Sequence, residues 1–305
     1  LISQYRGNDV ITMGPPSSGG LHIIQMLNIL ENYDLKKMDH NSKDYINLLS
    51  EVMKYAYSDR SKYLGDPDFY DVPVEKITSK KYGKRIFNDI EIGQSKPVDE
   101  VKPGMYLETE SYETTHFSVA DADGNIVSST YTLNSTFGSG VVIKGTGIVM
   151  NNEMDDFSAA PGIPNQFNLL GAEANEIAPN KRPLSSMTPT IVMKNNELFF
   201  TTGSPGGSRI ISAVLQSILN IIDFDMNLEE TTKARRIHHQ WFPDILEVEY
   251  SLDNKTRKEL EDMNYSIVIT DPLTCLQLIM YKDKKFYGYG DFRRVDAYAS
   301  GEIND

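Results

Sequence analysis

The chain has 305 residues, 40% of them hydrophobic and 24% charged, the balance of an ordinary globular protein with room for one or two domains. Its 43 acidic and 30 basic residues leave a formal net charge of −13, which argues against nucleic acid or an anionic membrane surface as the main partner. Cys275 is the only cysteine, so no intrachain disulfide and no cysteine zinc cluster can form, and no apolar run is long enough to span a bilayer.

The chain opens LISQYRGNDV, without a methionine, and reads as a fragment or processed product whose missing leader carries no information. The first third reads mostly helical. MGPPSSGG (13–20) is a breaker-rich loop with Ser18 available as a helix cap, and Ile23, Ile24, Met26, Leu27, Ile29 and Leu30 follow at helical spacing. A second helix is expected from Ser42 to Leu64, on Tyr45, Leu48, Leu49, Val52, Met53 and Tyr55. A charged helical stretch follows near Val74 to Glu91, and Gln94 to Glu113, polar with Pro97 and Pro103, reads as a surface linker. At Thr115 the period changes to two, and THFSVA, the turn DADGN and IVSSTYTL form a hairpin signal. Further strands are expected in GTGIVMNN, TPTIVMKN, ELFFTTG, ILEVEY, YSIVIT, LQLIMYK and KFYGYGD, with one strong helix from Gly207 through Phe224. The order predicts a layered α/β or α+β sandwich.

Several stretches carry chemistry, each with a plainer alternative. In GSPGGSRIISAVLQ a strand runs into a glycine-rich turn that opens a helix. Gly206 and Gly207 mark either an anion or oxyanion site or simply a tight turn. Ser185 and Ser186, near Lys181 and Arg182, are either a hydroxyl pair for a carboxylate or strand-end turn residues. Glu153, Asp155 and Asp156 in NNEMDDFS suit a cation or ammonium group, or form a solvated face. His238 and His239 are adjacent and cannot easily face one metal, so they read as structural, and no metal site or cofactor is expected. The pair Thr114–Thr115 is conditional. A threonine hydroxyl is a weak nucleophile unless a base activates it, and a free α-amine of the same residue is one such base. Only a cut before Thr114 would make Thr114 self-activating.

TTHFSVADADGN, STYTLNSTFGSG, NNEMDDFSAAPGIPN, NKRPLSSMTPTIV, TTGSPGGSRII and RRIHHQWFPD resemble, in order and spacing, the small subunit of the γ-glutamyltransferases. YRGNDVITMGPPSSGGLHIIQMLNILE and YAYSDRSKYLGDPDF resemble the C-terminal part of that family's large subunit. The resemblance implies an α+β fold, the four-layer αββα sandwich of the N-terminal nucleophile (Ntn) hydrolases. Residues 1–113 would be the end of the large-subunit region and 114–305 the small-subunit region, together one domain whose N-terminal portion is missing. It implies self-cleavage at the Glu113–Thr114 bond by an N-to-O acyl shift, giving a heterodimer from one precursor. Thr114 would then take a γ-glutamyl group from glutathione or another γ-glutamyl compound as an ester. Water, an amino acid or a dipeptide would remove it.

By the same resemblance, Thr132 would hydrogen-bond the nucleophile, and Asn134, Glu153 and Asp156 would hold the donor's α-ammonium. Ser185 and Ser186 would bind its α-carboxylate, and the Gly206 and Gly207 N–H groups would form the oxyanion hole. The family's arginine that clamps the α-carboxylate lies in the missing part, and no residue here is assigned that role. Phe167 stands where lid-bearing bacterial members often place a tyrosine, in a loop from Pro161 to Asn168, and Arg235 stands where relatives have a proline. Relatives are commonly periplasmic, secreted or anchored facing outward, and a similar address is expected. The alternatives are a related threonine hydrolase acting on poly-γ-glutamate or a γ-glutamyl antibiotic precursor, and an inactive truncated chain whose only role is association.

Overall fold

Ile2–Tyr5 (β1) and Asn8–Thr12 (β2) pair as an antiparallel hairpin, closed by Arg6 and Gly7 at φ 49° and 76°. Both central residues at positive φ is the geometry that matches strand twist in a two-residue turn. The expectation of a mostly helical first third misses this hairpin, because each strand has too few alternating residues to show a period. The computed structural model describes residues 1–302 apart from 102–113, 159, 161 and 271.

Helix α1 (Gly19–Leu30) is buried along its whole length, and α2 (Lys43–Tyr63) starts at Ser42, whose Oγ accepts the Tyr45 N–H. Ser18 precedes α1 but makes no capping bond; its hydroxyl donates to the Ser185 carbonyl at 2.8 Å instead. The charged stretch expected as one helix is two, α3 (Val74–Ile77) and α4 (Lys80–Phe87), because Ser79 turns outward and caps α4 by accepting the Tyr82 N–H. The described part of the expected surface linker, residues 94–101, is held down. Lys54 Nζ donates to Ser95 Oγ and the Lys96 carbonyl, Trp241 Nε1 donates to the Val98 carbonyl, and Val101 is buried.

The expected hairpin is present as β3 (Thr115–Ala120) and β4 (Ile126–Tyr131). GTGIVMNN is not a strand: Gly145 and Gly147 sit at positive φ, and only one isolated bridge, Val142 to Val149, forms there. Next come β5 (Thr190–Lys194), β6 (Glu197–Gly203), α5 (Arg209–Ile222) and α6 (Leu228–Lys233). Then β7 (Ile237–His238), β8 (Leu246–Val248), α7 (Asn254–Asp262) and β9 (Ile267–Ile269) make a small sheet in which β8 and β9 are parallel around α7. The chain ends with β10 (Gln277–Lys282) and β11 (Lys285–Gly290).

The main sheet is antiparallel in the order β1-β2-β5-β6-β10-β11, so strands from both ends of the chain share it. Successive strand residues face opposite ways. Thr202 points to α5, where its Oγ1 meets Ser217 Oγ at 2.8 Å; Gly203 points the other way, against the ring of His116 on β3. Helices thus cover one face of the sheet and the β3–β4 ribbon lies on the other. The ribbon turns His116 inward and leaves Phe117, Val119, Val127 and Tyr131 exposed on its outer face.

The C-terminal segment is fastened by ions. Arg236, buried just before β7, reaches Asp291 with Nη2 and the Thr274 carbonyl with Nη1, and Arg293 bridges Asp291 and Glu249. Removing one partner of a buried pair strands the other charge. Arg236→Ala is therefore expected to cost about 3 kcal/mol, read as a lowered denaturant midpoint. A midpoint within experimental scatter of the parent would count against this pair as a fastening. Arg235 is exposed and its carbonyl accepts from Asn41 Nδ2; nothing in the structure explains its difference from proline.

Candidate active site

Gly203 decides where the ribbon lies. A Cβ there would sit 2.0 Å from His116 Cε1, so only glycine lets the imidazole rest on the β6 backbone. Burial holds the His116 pKa down at about 4, so the ring is neutral, bonded to Thr130 Oγ1 and Ser118 Oγ. Close docking brings the start of β3 beside the start of α5. Thr115 pairs with Tyr131, which sets Thr114 opposite Thr132. Thr115 is exposed, whereas Thr114 is buried with its Oγ1 3.4 Å from Thr132 Oγ1. Thr132 Oγ1 also accepts the Asn134 N–H at 2.8 Å, and Arg294 Nη1 holds the Thr114 carbonyl at 3.2 Å. Glu113 lies outside the described residues.

The turn after β6 places Gly206 and Gly207 at φ 126° and 55°, a region that disfavours any side chain. Both are buried, and among the described residues neither N–H has an acceptor. They precede a 14-residue helix, whose first amides carry unpaired donors and the positive dipole end. Gly207 lines the cleft containing Thr114; Gly206 sits one residue behind it, against Thr274.

Across the cleft, a 3-10 turn, Glu153–Asp156, presents two carboxylates to each other. Burial, then the charge of Glu153, pushes Asp156 up to about 8; burial also raises Glu153. Glu153 Oε1 and Asp156 Oδ1 are buried without a hydrogen-bond partner. A pair of inward-facing carboxylates of this kind is complementary to one cation that can donate several hydrogen bonds. Asn134, at φ 75°, is fixed beside them by its Nδ2 on the Asn152 carbonyl. Ser185 and Ser186 also line the cleft, where Ser185 pairs with Ser17 in a parallel bridge.

Thr114, Thr132, Asn134, Asp156, Ser185, Ser186 and Gly207 therefore share one narrow cleft, with Glu153 behind Asp156. The basic residues near the serine pair in sequence do not serve it: Arg182 is drawn away onto Asp66 and Asp68. The cation at the serines is Arg60 of α2, which sequence reasoning passed over. Its signal was present, since Arg60 falls on the helix face carrying Met53 and Tyr57, where an apolar residue is expected. Arg294 gave no such signal. A larger cavity of about 540 Å³ between Arg6, Asp34, Lys36 and Asp223 is remote from this chemistry; in it Arg6 pairs with Asp223 and Lys36 with Asp225.

The family model for γ-glutamyltranspeptidase matches residues 1–301. The chain belongs to the γ-glutamyltranspeptidase family. Within that family it is 51% identical over 302 residues to the glutathione hydrolase proenzyme of Escherichia coli K12, covering 99% of this chain and 52% of that protein. The chain thus spans about half the length of the curated relatives it matches. γ-Glutamyltranspeptidase from Pseudomonas nitroreducens, solved with L-DON, is 42% identical with a TM-score of 0.59, covering 63% of this chain and 100% of that one. Cephalosporin acylase from Bacillus halodurans is 25% identical with a TM-score of 0.83, covering 100% of this chain and 53% of that one. The fold is that of the Ntn hydrolases, an α+β four-layer αββα sandwich. The helix layer, the six-stranded sheet and the β3–β4 ribbon are its parts among the described residues.

Of the loop read as a lid, Asn165–Asn168 folds over the cleft, and its Pro161 end lies outside the described residues. Phe167 is buried with its ring against Gly207, and its carbonyl accepts from Gln240 Nε2 at 3.0 Å. Phe167 therefore contributes a packed ring where a tyrosine would add a hydroxyl. The neighbouring histidines are structural. His238 bonds Ser212 and Gln240, His239 bonds Asp244, and among the described residues no group of three or more His, Cys, Asp or Glu is placed to hold a metal.

Proposed function

We propose that this chain carries the centre of a γ-glutamyl transfer reaction. Thr114 Oγ1 first attacks the Glu113 carbonyl, the amide nitrogen leaves as the new Thr114 α-amine, and water hydrolyses the resulting ester. The freed amine then serves as base for the same hydroxyl. Thr114 attacks the γ-amide carbonyl of glutathione or another γ-glutamyl compound, and the amine component leaves with the proton. The γ-glutamyl ester is removed by water, an amino acid or a dipeptide. The Gly206 and Gly207 amides stabilise the oxyanion in both acylation and deacylation. The mature form is a large-subunit and small-subunit heterodimer from one precursor. In support, the whole solved Pseudomonas nitroreducens polypeptide corresponds to 63% of this chain, the share that lies from Thr114 onward.

The observation that carries this reading is the meeting of Thr114 and Thr132 with Asp156 and the serine pair in one cleft. An acylase of general specificity has no need of two facing buried carboxylates, so they favour a donor with an ammonium group over a plain acyl amide. The test is intact mass and N-terminal sequence together with turnover of a γ-glutamyl anilide. Two chains meeting at 113/114 and release of the aniline are expected. A single uncut chain without turnover supports the inert alternative. An address outside the cytoplasm is proposed on family resemblance, to be checked by cell fractionation.

Asp156 makes donor binding pH-dependent. Its folded pKa stands near 8 against about 4 for a free carboxyl, so its proton favours the fold fully below about pH 4, a contribution lost progressively as pH rises from about 4 to 8. Ammonium binding runs the opposite way, because it needs the charged carboxylate. Affinity for L-glutamate is expected to rise about tenfold between pH 6.5 and 8.5, and Asp156→Asn to flatten that rise, read by calorimetry. Glu153, Asp155 and Arg60 set the field at Asp156, and a rise that survives Asp156→Asn would move the titration to one of them.

A further inference from the structure

Asn47, Glu51 and Lys54 of α2 stand at i, i+4 and i+7, one stripe of the helix face. All three are buried, where a stripe of this spacing is ordinarily apolar. The cleft does not use them. What they touch is the backbone of residues 93–98. Asn47 Oδ1 accepts the Gly93 N–H at 2.8 Å, and its Nδ2 donates to the Gln94 carbonyl at 2.8 Å. Glu51 Oε2 accepts the Lys96 N–H at 3.3 Å. Lys54 Nζ spends its N–H bonds on Glu51 Oε1 at 2.9 Å, Ser95 Oγ at 2.8 Å and the Lys96 carbonyl at 2.8 Å. Residues 94–97 belong to no helix or strand, so their backbone groups need such partners, while the side chains of Gln94 and Pro97 stay exposed.

The same segment is gripped by residues beyond the proposed cut. Trp241 Nε1 donates to the Val98 carbonyl at 3.0 Å, and the Met263 carbonyl accepts the Ser95 N–H at 3.3 Å. Tyr265 donates its hydroxyl to Glu51 Oε1 at 2.7 Å, and its ring lies 5.0 Å from Lys54 Nζ. Trp241 stands at φ 66°, a costly conformation for a bulky residue, and it is buried with its indole N–H on the segment. The buried ion pair is costly too. An apolar pair of similar volume fills a core as well or better, so packing does not account for Lys54 and Glu51. Holding a main chain does.

We propose that residues 93–98 are a fixed strap, and that Lys54 and Trp241 are positioning residues for self-cleavage, holding the chain ahead of the Glu113–Thr114 bond. The role rests on the cleavage proposed above; the grip rests on the geometry alone. Without the strap, the nearest anchored point ahead of the cut moves from Val101 back to the end of α4 at Phe87. That roughly doubles the length of chain to be closed, which slows closure about threefold. Once the bond is cut, the strap has no further bearing on turnover.

The test uses Trp241→Phe, which removes one N–H and keeps a ring, and the double change Glu51→Gln with Lys54→Met, which removes the ion pair as a unit. Cleavage is followed by intact mass after cell-free synthesis, and γ-glutamyl anilide turnover is read per cleaved chain. Hydrogen exchange at residues 93–98 is read in Thr114→Ala, with and without the double change. Both variants are expected to slow cleavage, the double change about threefold, and to keep kcat and KM per cleaved chain within about twofold of the parent. The strap amides are expected to exchange about tenfold faster once the double change is added. Equal exchange overturns the grip. Cleavage at the parent's rate in both variants overturns the positioning role and leaves γ-glutamyl transfer standing. Turnover per cleaved chain that falls in step with cleavage marks a merely structural network and overturns it as well. If the double variant does not fold, the same split in Trp241→Phe decides. A parent that never cuts removes the cleavage reading and the positioning role with it, while exchange still reports the grip.

Discussion

Thr114→Ala is expected to leave the chain whole across residues 113–114 and to lower γ-glutamyl anilide turnover by about 10⁴-fold. One hydroxyl accounts for both losses. In the proposed reaction it makes the first ester with Glu113 and every later ester with donor, while Thr132, held as its neighbour, accepts the Asn134 amide N–H. Thr115→Ala is the natural control. Thr115 is one residue away but points to the exposed side of β3, so cleavage and turnover should stay within about threefold of the parent. Thr132→Ala should fall between, about 10- to 100-fold, because it removes an orienting hydrogen bond and keeps the nucleophile. Intact mass reports the cleavage and initial rates the turnover. Undiminished turnover in Thr114→Ala would remove Thr114 from the mechanism altogether.

The sequence carried the element types well wherever a long period existed. Helix α5 and strands β6 and β10 fall within a residue or two of their expected places, because Ile210, Val214 and Ile218 or Leu278 and Met280 repeat often enough to declare a face. Short elements were lost for the converse reason. β1 and β2 have four and five residues, and their decisive feature, Arg6 at positive φ, is set by strand twist and leaves no compositional mark. GTGIVMNN failed differently: its strand-like composition is overruled by two glycines at positive φ. Within the site, chain-local chemistry was legible and chain-distant chemistry was not. The two threonines, the acidic turn, the serines and the glycines each sit in a short motif. Arg60 and Arg294 reach the cleft from 54 and 180 positions away from Thr114 respectively, and only packing brings them there. Ser18 shows the same limit, since a residue with the composition of a cap instead joins Arg60 to the serine wall.

Gly207→Ala is expected to cost about 100-fold in kcat with little change in KM. Two separate penalties act at this one atom. Alanine at φ 55° carries a backbone cost of about 1–2 kcal/mol, and its Cβ would lie 2.8 Å from Cδ1 of Phe167. The ring cannot simply swing out, because Gln240 holds the Phe167 carbonyl while also accepting from Ser208 Oγ, next to the glycine itself. Relief has to come from the turn, and the turn carries the amide proposed to meet the oxyanion. Phe167→Ala separates the two penalties. Combined with Gly207→Ala it removes the clash and leaves the positive φ, so recovery of no more than about tenfold is expected. Full recovery would assign the loss to packing of the lid ring. Gly207→Ala with kcat within twofold of the parent would mean that the start of α5 serves this fold as a turn, and that the oxyanion is stabilised elsewhere.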